Sequence, residues 1–115
     1  MKTREHVRYG VSKRAETIAQ TEGGIVNFNS FVLNISLRGL AFRSSINLTP
    51  ETPVLILLPF IDDDGMEDRA VLMGDIAWSA QEDRDFNAGV LFTKELAPDY
   101  NPSLIKHYFQ GPGEN

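Results

Sequence analysis

The sequence contains no cysteine. The chain therefore has no disulfide framework, no thiolate metal site and no thiol nucleophile. It also has no long hydrophobic run, because the longest apolar segment, residues 54–61, is too short to span a bilayer and contains a proline. The basic residues at the N-terminus are not followed by an apolar segment, so we expect no secretory signal. These absences predict a cytoplasmic protein without membrane insertion.

The charge of the chain is unevenly distributed. The formal net charge is −5, which argues against general binding to DNA or RNA. Residues 1–14 nevertheless carry five basic side chains and one acidic side chain, so the remainder is strongly acidic. A basic arm on an acidic body is typical of a protein that binds a small anion rather than a long polyanion. The alternative is a solvated, frayed terminus with no function.

The length and the residue pattern indicate one all-β domain. A chain of 115 residues, 42% of them hydrophobic, is sufficient for a single modest core. Turn signals separate six β-prone segments, which are residues 15–21, 25–33, 40–43, 54–61, 70–78 and 86–92. The continuous apolar run 54–61 predicts a strand covered on both faces. Short strands of this kind form a barrel or a sandwich, and the pattern alone does not choose between them.

Three smaller features complete the predicted domain. Residues 62–65, Asp-Asp-Asp-Gly, lack the spacing of a calcium loop and predict an acidic hairpin tip. In the last strand, period two places Phe86, Ala88, Val90 and Phe92 on one face, which we expect to point into the core. Residues 103–109 predict a short helix with Leu104, Ile105, Tyr108 and Phe109 on one side, closing one end of the sheet.

Two short motifs stand out from this pattern. Asn34, Ser36 and Gly39 form an Asn-x-Ser-x-x-Gly sequence inside an otherwise apolar stretch, residues 31–42. Asn and Ser side chains bond nearby backbone, and glycine permits close backbone approach. The stretch therefore predicts either a simple strand, bend and strand, or a polar edge that binds a flat ligand. The second motif is the pair Arg4 and Arg8, spaced as Arg-x-x-x-Arg.

Together and in this order, the two motifs resemble those of the PilZ domain family, bacterial receptors for cyclic di-GMP. Gly74–Trp78 and Asn87–Phe92 look like the late strands of that family, so the resemblance covers roughly residues 4–96. It implies a six-stranded antiparallel barrel of the PilZ split-barrel type with a short C-terminal helix. Residues 1–10 would then be a flexible, ligand-clamping arm, and residues 11–110 the barrel domain with its helix.

The resemblance also implies a binding site. Arg4 and Arg8 would clamp phosphate and guanine, Asn34 and Ser36 would bond the guanine edge, and Gly39 would permit close approach. Many family members have Asp where this chain has Asn34, whose amide still accepts and donates hydrogen bonds. The expected ligand is cyclic di-GMP, with no cofactor or metal, and the expected partner is a downstream protein.

The sequence also bears on other classes of function. No enzyme is expected, because His6 and His107 lie at opposite ends of the chain and Ser36 has no His-Asp partner nearby in sequence. The main alternative is a PilZ-like protein-interaction scaffold that no longer binds the ligand. A second alternative is an unrelated barrel for single-stranded nucleic acid, which the net acidity disfavours.

Trp78, the only tryptophan, has two interpretations. Tryptophan is usually mostly buried, which predicts packing in the core or at the barrel rim. However, Trp78 ends an apolar segment just before polar residues 81 and 82, so its ring could instead stack on a bound guanine. The second interpretation places Trp78 beside the site without making it part of the predicted motif.

Overall fold

The described part of the chain is a closed ring of antiparallel strands with one helix. The computed structural model describes residues 8–99 and 101–109. The strands in chain order are β1 (Tyr9–Thr21), β2 (Gly24–Ile35), β3 (Gly39–Ser44), β4 (Pro53–Ile61), β5 (Glu67–Glu82) and β6 (Asp85–Phe92). Helix α1 spans Pro102–Phe109. The strands close into a barrel in the order β1-β2-β3-β6-β5-β4. The predicted all-β class, with six antiparallel strands and a C-terminal helix, is confirmed.

β1 and β5 are much longer than the sequence pattern predicts. β5 runs from Glu67 to Glu82 instead of from residue 70 to residue 78. β1 begins at Tyr9, six residues before the predicted start, and Tyr9 and Gly10 pair with Ile35 and Asn34 of β2. Pairing with a neighbouring strand thus outweighs the weak β-propensity of these polar segments. The last two residues of the predicted arm belong to this strand, and residues 1–7 lie outside the described part of the chain.

The core fills the interior of the ring. On β6, Ala88, Val90 and Phe92 are buried as predicted, and Phe86 is half-buried. The expectation that β4 is covered on both faces is wrong, because only its inward-facing residues are buried. Its outward-facing Leu55, Leu57 and Pro59 are half-buried. A small closed barrel has a single interior, so the outer face of each strand is covered only where another element packs on it.

Helix α1 packs against β4 and β1 at one end of the barrel. Leu104 and Ile105 are buried, as the predicted apolar side of the helix requires. The Tyr108 hydroxyl donates a 2.6 Å hydrogen bond to the backbone carbonyl of Pro59. The Phe109 ring meets the Tyr9 ring edge-on, with centroids 4.8 Å apart. The helix is therefore held by two elements that are distant from it in sequence.

The β4–β5 hairpin tip is closed by its own first aspartate. The Asp62 carboxylate accepts hydrogen bonds from the backbone N–H groups of Asp64 and Met66, both at 2.9 Å. Asp63 forms an exposed ion pair with Lys106 of α1 at 3.2 Å. The acidic residues at this tip thus close the turn and contact the helix.

In the described part of the chain, no helix has the length and apolar character needed to cross a membrane.

The anchoring of α1 makes a prediction about alkaline stability. Burial raises the pKa of Tyr108 to about 12 from its ordinary value near 10. The folded state therefore favours the neutral phenol. The contribution of Tyr108 to the free energy of unfolding is complete below pH 10 and is lost as the pH rises through about 12. We expect Tyr108→Phe to lower the free energy of unfolding by about 1 kcal/mol at pH 8, because one hydrogen bond is lost. The difference between wild type and variant should shrink, then reverse, between pH 10 and 12.

Urea denaturation followed by circular dichroism at a series of pH values measures this difference. Tyr9→Phe is the matched control, since it removes an exposed hydroxyl but keeps the ring that packs on Phe109. It should leave stability at pH 8 unchanged. A difference between wild type and Tyr108→Phe that stays constant from pH 8 to 12 would contradict the assignment.

Candidate ligand-binding site

The Asn-x-Ser-x-x-Gly motif forms the tight turn between β2 and β3. The backbone N–H of Ser36 donates to the Gly39 carbonyl at 2.8 Å, and the Ser36 hydroxyl donates to the same oxygen at 3.3 Å. That hydroxyl also accepts a 3.3 Å hydrogen bond from the backbone N–H of Arg38. Ser36 is buried, with 3% of its surface exposed. The serine of the motif therefore closes the turn with its side chain.

The turn is also fastened to the chain that leaves β6. The carbonyl of Arg38 accepts from the Phe92 N–H, and the carbonyl of Leu37 accepts from the Leu96 N–H, each at 2.8 Å. Gly39 pairs with Leu91, and a Cβ at Gly39 would overlap the carbonyl oxygen of Val90. The glycine of the motif thus permits β6 to approach closely. The expected approach of a ligand at Gly39 stays a prediction.

The two sequence motifs meet through one hydrogen bond. Nη1 of Arg8 donates to Oδ1 of Asn34 at 2.8 Å, across 26 residues of sequence. Pairing of Gly10 with Asn34 brings the start of β1 alongside the end of β2, which places Arg8 there. Asn34 also adjoins a register shift between β2 and β3, of the kind that redirects side chains at barrel rims. Arg4, the other half of the predicted clamp, lies outside the described residues.

A surface pocket of about 390 Å³ lies beside this contact. It is formed by Arg8 just before β1, the β2–β3 turn, and the outer faces of β5 and β6. The lining residues are Arg8, Ser36, Arg38, Gly39, Leu40, Ala77, Trp78, Gly89, Val90 and Leu91. Three of the five predicted site residues therefore line one pocket, and a fourth, Asn34, holds the arginine at its edge.

Trp78 lies in this pocket and not in the core. Its surface is 46% exposed. Between Ile76 and Trp78 the β5–β6 register shifts, so Trp78 pairs with Gly89 and both Ala77 and Trp78 face outward. A Cβ at Gly89 would overlap the indole ring, which shows that the ring rests directly on this glycine. The expectation that Trp78 packs in the core is wrong, because regular alternation from buried Ile76 does not continue through the shift.

The charge in the pocket has one sign. Arg8 and Arg38 are both exposed, and no carboxylate is among the described residues that line the pocket. Arg38 was not among the predicted site residues, although it directly precedes the motif glycine and its position was therefore available as a signal. In α1, away from this pocket, burial together with the nearby Lys13 charge lowers the pKa of His107. A cationic pocket with an exposed indole can bind a planar anion.

No protein-family model matches this chain, and no curated protein matches it significantly. The resemblance to the PilZ family therefore depends on the sequence motifs and stays a prediction.

The close contact at Gly39 makes a testable prediction about the turn. In Gly39→Ala, the new methyl group would displace the β6 backbone, which should lower the free energy of unfolding by about 3 kcal/mol. Gly10→Ala is the matched control, because a Cβ at this exposed strand glycine has no neighbour within 4 Å. It should change stability by less than about 0.5 kcal/mol. Urea denaturation measures both, and equal effects would show that the β3–β6 contact is not tight.

Proposed function

We propose that this protein is a cyclic di-GMP receptor that binds the nucleotide in the pocket lined by Arg8, Arg38 and Trp78. The observation that carries the proposal is the Arg8–Asn34 hydrogen bond. It joins the Arg-x-x-x-Arg motif to the Asn-x-Ser-x-x-Gly motif at the edge of one pocket, although the two are far apart in sequence. Chance occurrence of two short motifs would not by itself bring them together in space.

The chemistry of the pocket suits this ligand. Cyclic di-GMP carries two phosphates and two guanines, so its receptor must neutralise charge and recognise planar bases. The guanidinium of arginine binds phosphate oxygens or the O6/N7 edge of guanine in bidentate fashion and stacks on base faces. Arg8 is exposed, and within residues 8–99 and 101–109 only Asn34 holds one of its five donors.

The roles of the predicted residues differ in this proposal. Arg8 contacts the ligand directly, and Arg4 would join it from the preceding chain. Asn34 orients Arg8 and offers its amide N–H groups to guanine. Ser36 acts first through the turn, because its hydroxyl already donates to Gly39 and accepts from Arg38. A direct bond from Ser36 to the ligand would use the remaining lone pair of that hydroxyl.

Trp78 adds a stacking surface to these polar groups. Its exposed indole rests on Gly89 and borders the same pocket as Arg8. Base stacking on an aromatic side chain contributes about 1–3 kcal/mol per base. In this proposal the ligand is held by arginine at its phosphates and by the indole at one base. The receptor would act in the cytoplasm of a bacterium and pass the signal to a protein partner.

Isothermal titration calorimetry with cyclic di-GMP tests the proposal and reports whether one or two ligands bind per site. We expect binding of cyclic di-GMP and far weaker binding of GMP, which has one phosphate and one base. Arg8→Ala should weaken binding by about 2–4 kcal/mol, because a charged hydrogen-bonding partner is removed. Arg14→Ala is the matched control, since Arg14 is an exposed arginine of the adjoining strand β1 that does not line the pocket.

Two results of this titration would count against the proposal. Absence of binding at millimolar cyclic di-GMP would reject the receptor function and favour the protein-interaction scaffold. Equal weakening by Arg8→Ala and Arg14→Ala would reject the specific role of Arg8, because only the overall charge of β1 would then matter.

The position of Trp78 predicts an optical signal. We expect its intrinsic fluorescence to change saturably with cyclic di-GMP, because the exposed indole would be covered by a base. Trp78→Phe should weaken binding only modestly, since a smaller aromatic ring remains. Unchanged emission at ligand concentrations that calorimetry shows to be saturating would separate Trp78 from the binding site.

A further inference from the structure

Arg38 occupies a fixed place in the pocket, although it belongs to neither half of the predicted clamp. Its backbone N–H donates to the Ser36 hydroxyl at 3.3 Å, and its carbonyl accepts from the Phe92 N–H at 2.8 Å. Both backbone groups are therefore held by the turn and by β6. The side chain is exposed and lines the pocket. The turn thus presents a guanidinium group from a rigid base.

Among the described residues, nothing occupies the side-chain donors of Arg38. Three other arginines have side-chain partners in the structure. Arg8 pairs with Asn34, Arg43 with Glu82, and Arg69 with Glu16. Within residues 8–99 and 101–109, by contrast, no group accepts a hydrogen bond from the Arg38 side chain. Arg38 therefore has a planar fork of five N–H donors to offer a ligand.

The position of Arg38 relative to Trp78 is set by β6. The indole of Trp78 rests on Gly89, and Gly39 pairs with Leu91. Gly89 and Leu91 both face outward and lie two residues apart on β6. That separation corresponds to roughly 7 Å along a strand. Arg38 directly precedes Gly39 and is bonded to Phe92, so it lies at the Leu91 end of this segment. A base stacked on Trp78 would therefore lie over β6 with one edge towards Arg38.

We propose that Arg38 binds the O6/N7 edge of the guanine that stacks on Trp78, and that it makes the site selective for guanine over adenine. Guanine presents two acceptors on this edge, which match the arginine fork. Adenine presents one acceptor and an amino donor, which opposes an arginine donor. The inference rests on the proposed cyclic di-GMP function and assigns a specificity-determining residue within that site. This role is assigned to Arg38 and not to Arg8, because one guanidinium nitrogen of Arg8 is already bonded to Asn34.

Titrations with cyclic di-GMP and cyclic di-AMP test this role, because the two ligands share their phosphates and differ in the base. Wild type should bind cyclic di-GMP more tightly than cyclic di-AMP. Arg38→Ala should weaken cyclic di-GMP binding about 10-fold or more and change cyclic di-AMP binding much less. Arg38→Lys keeps the charge but loses the fork, so it should also narrow the preference for guanine. Arg84→Ala, an exposed arginine in the β5–β6 turn outside the pocket, should leave both affinities unchanged.

Each outcome decides the inference. Equal weakening of both dinucleotides by Arg38→Ala would show that Arg38 acts only through its charge, and would overturn the base-reading role. Wild-type affinities in Arg38→Ala would overturn it as well, while the receptor function would stand. A wild-type protein that binds neither dinucleotide would overturn the receptor function together with this inference. If Arg38→Ala does not fold, as judged by circular dichroism, the Arg38→Lys comparison gives the same decision.

Discussion

Hydrogen bonding in the β2–β3 turn is the constraint on which this end of the barrel depends. The hydroxyl of Ser36 is buried and bonded on both sides, to the Gly39 carbonyl and the Arg38 N–H. Leaving a buried polar group unpaired costs about 1–3 kcal/mol, so these bonds favour one conformation of the turn. The carbonyls at positions 37 and 38 extend the network to the chain after β6. A change in this turn would therefore disturb both the closure of the ring and the pocket.

Departures from regular strand pairing give the pocket its shape. The described strands contain three register shifts, one each in the β1–β2, β2–β3 and β5–β6 pairs. The first two lie beside Asn34, and the third lies beside Trp78. Bulges of this kind add a residue to one strand, bend it and redirect its side chains. As a result, an amide and an indole that lie on different strands border one pocket.

The charge of the pocket contrasts with that of the protein. Arg8 and Arg38 border a pocket that no carboxylate of the described residues lines, whereas the whole chain has a net charge of −5. Exposed charges are screened over about 8 Å at physiological ionic strength. A compact anion in the pocket would therefore interact mainly with the two arginines, whereas a long polyanion would also meet the acidic surface. This contrast supports a small dianion as the ligand in the proposed function.

The sequence alone determined the number and order of the elements. Turn signals at residues 22–24 and 62–65, period-two alternation in β6 and the apolar side of α1 are all local, and each holds in the structure. That Arg8 and Asn34 belong to one site was implied only by the resemblance of the two motifs to a known family, and the hydrogen bond between them was not predicted. The predicted ends of the strands were less accurate, because pairing with β2 extends β1 into a segment that has weak β-propensity of its own.

Only the tertiary structure decided which side chains line the pocket. Alternation from Leu72 through Ile76 would carry Trp78 into the core, and the shift against β6 turns it outward. The outer face of β4 is likewise half-buried because a closed ring has one interior, which an apolar run does not reveal. Arg38 joins Arg8 because the turn is bonded to β6. These positions depend on contacts between segments far apart in the chain, and periodicity reports only on neighbours along it.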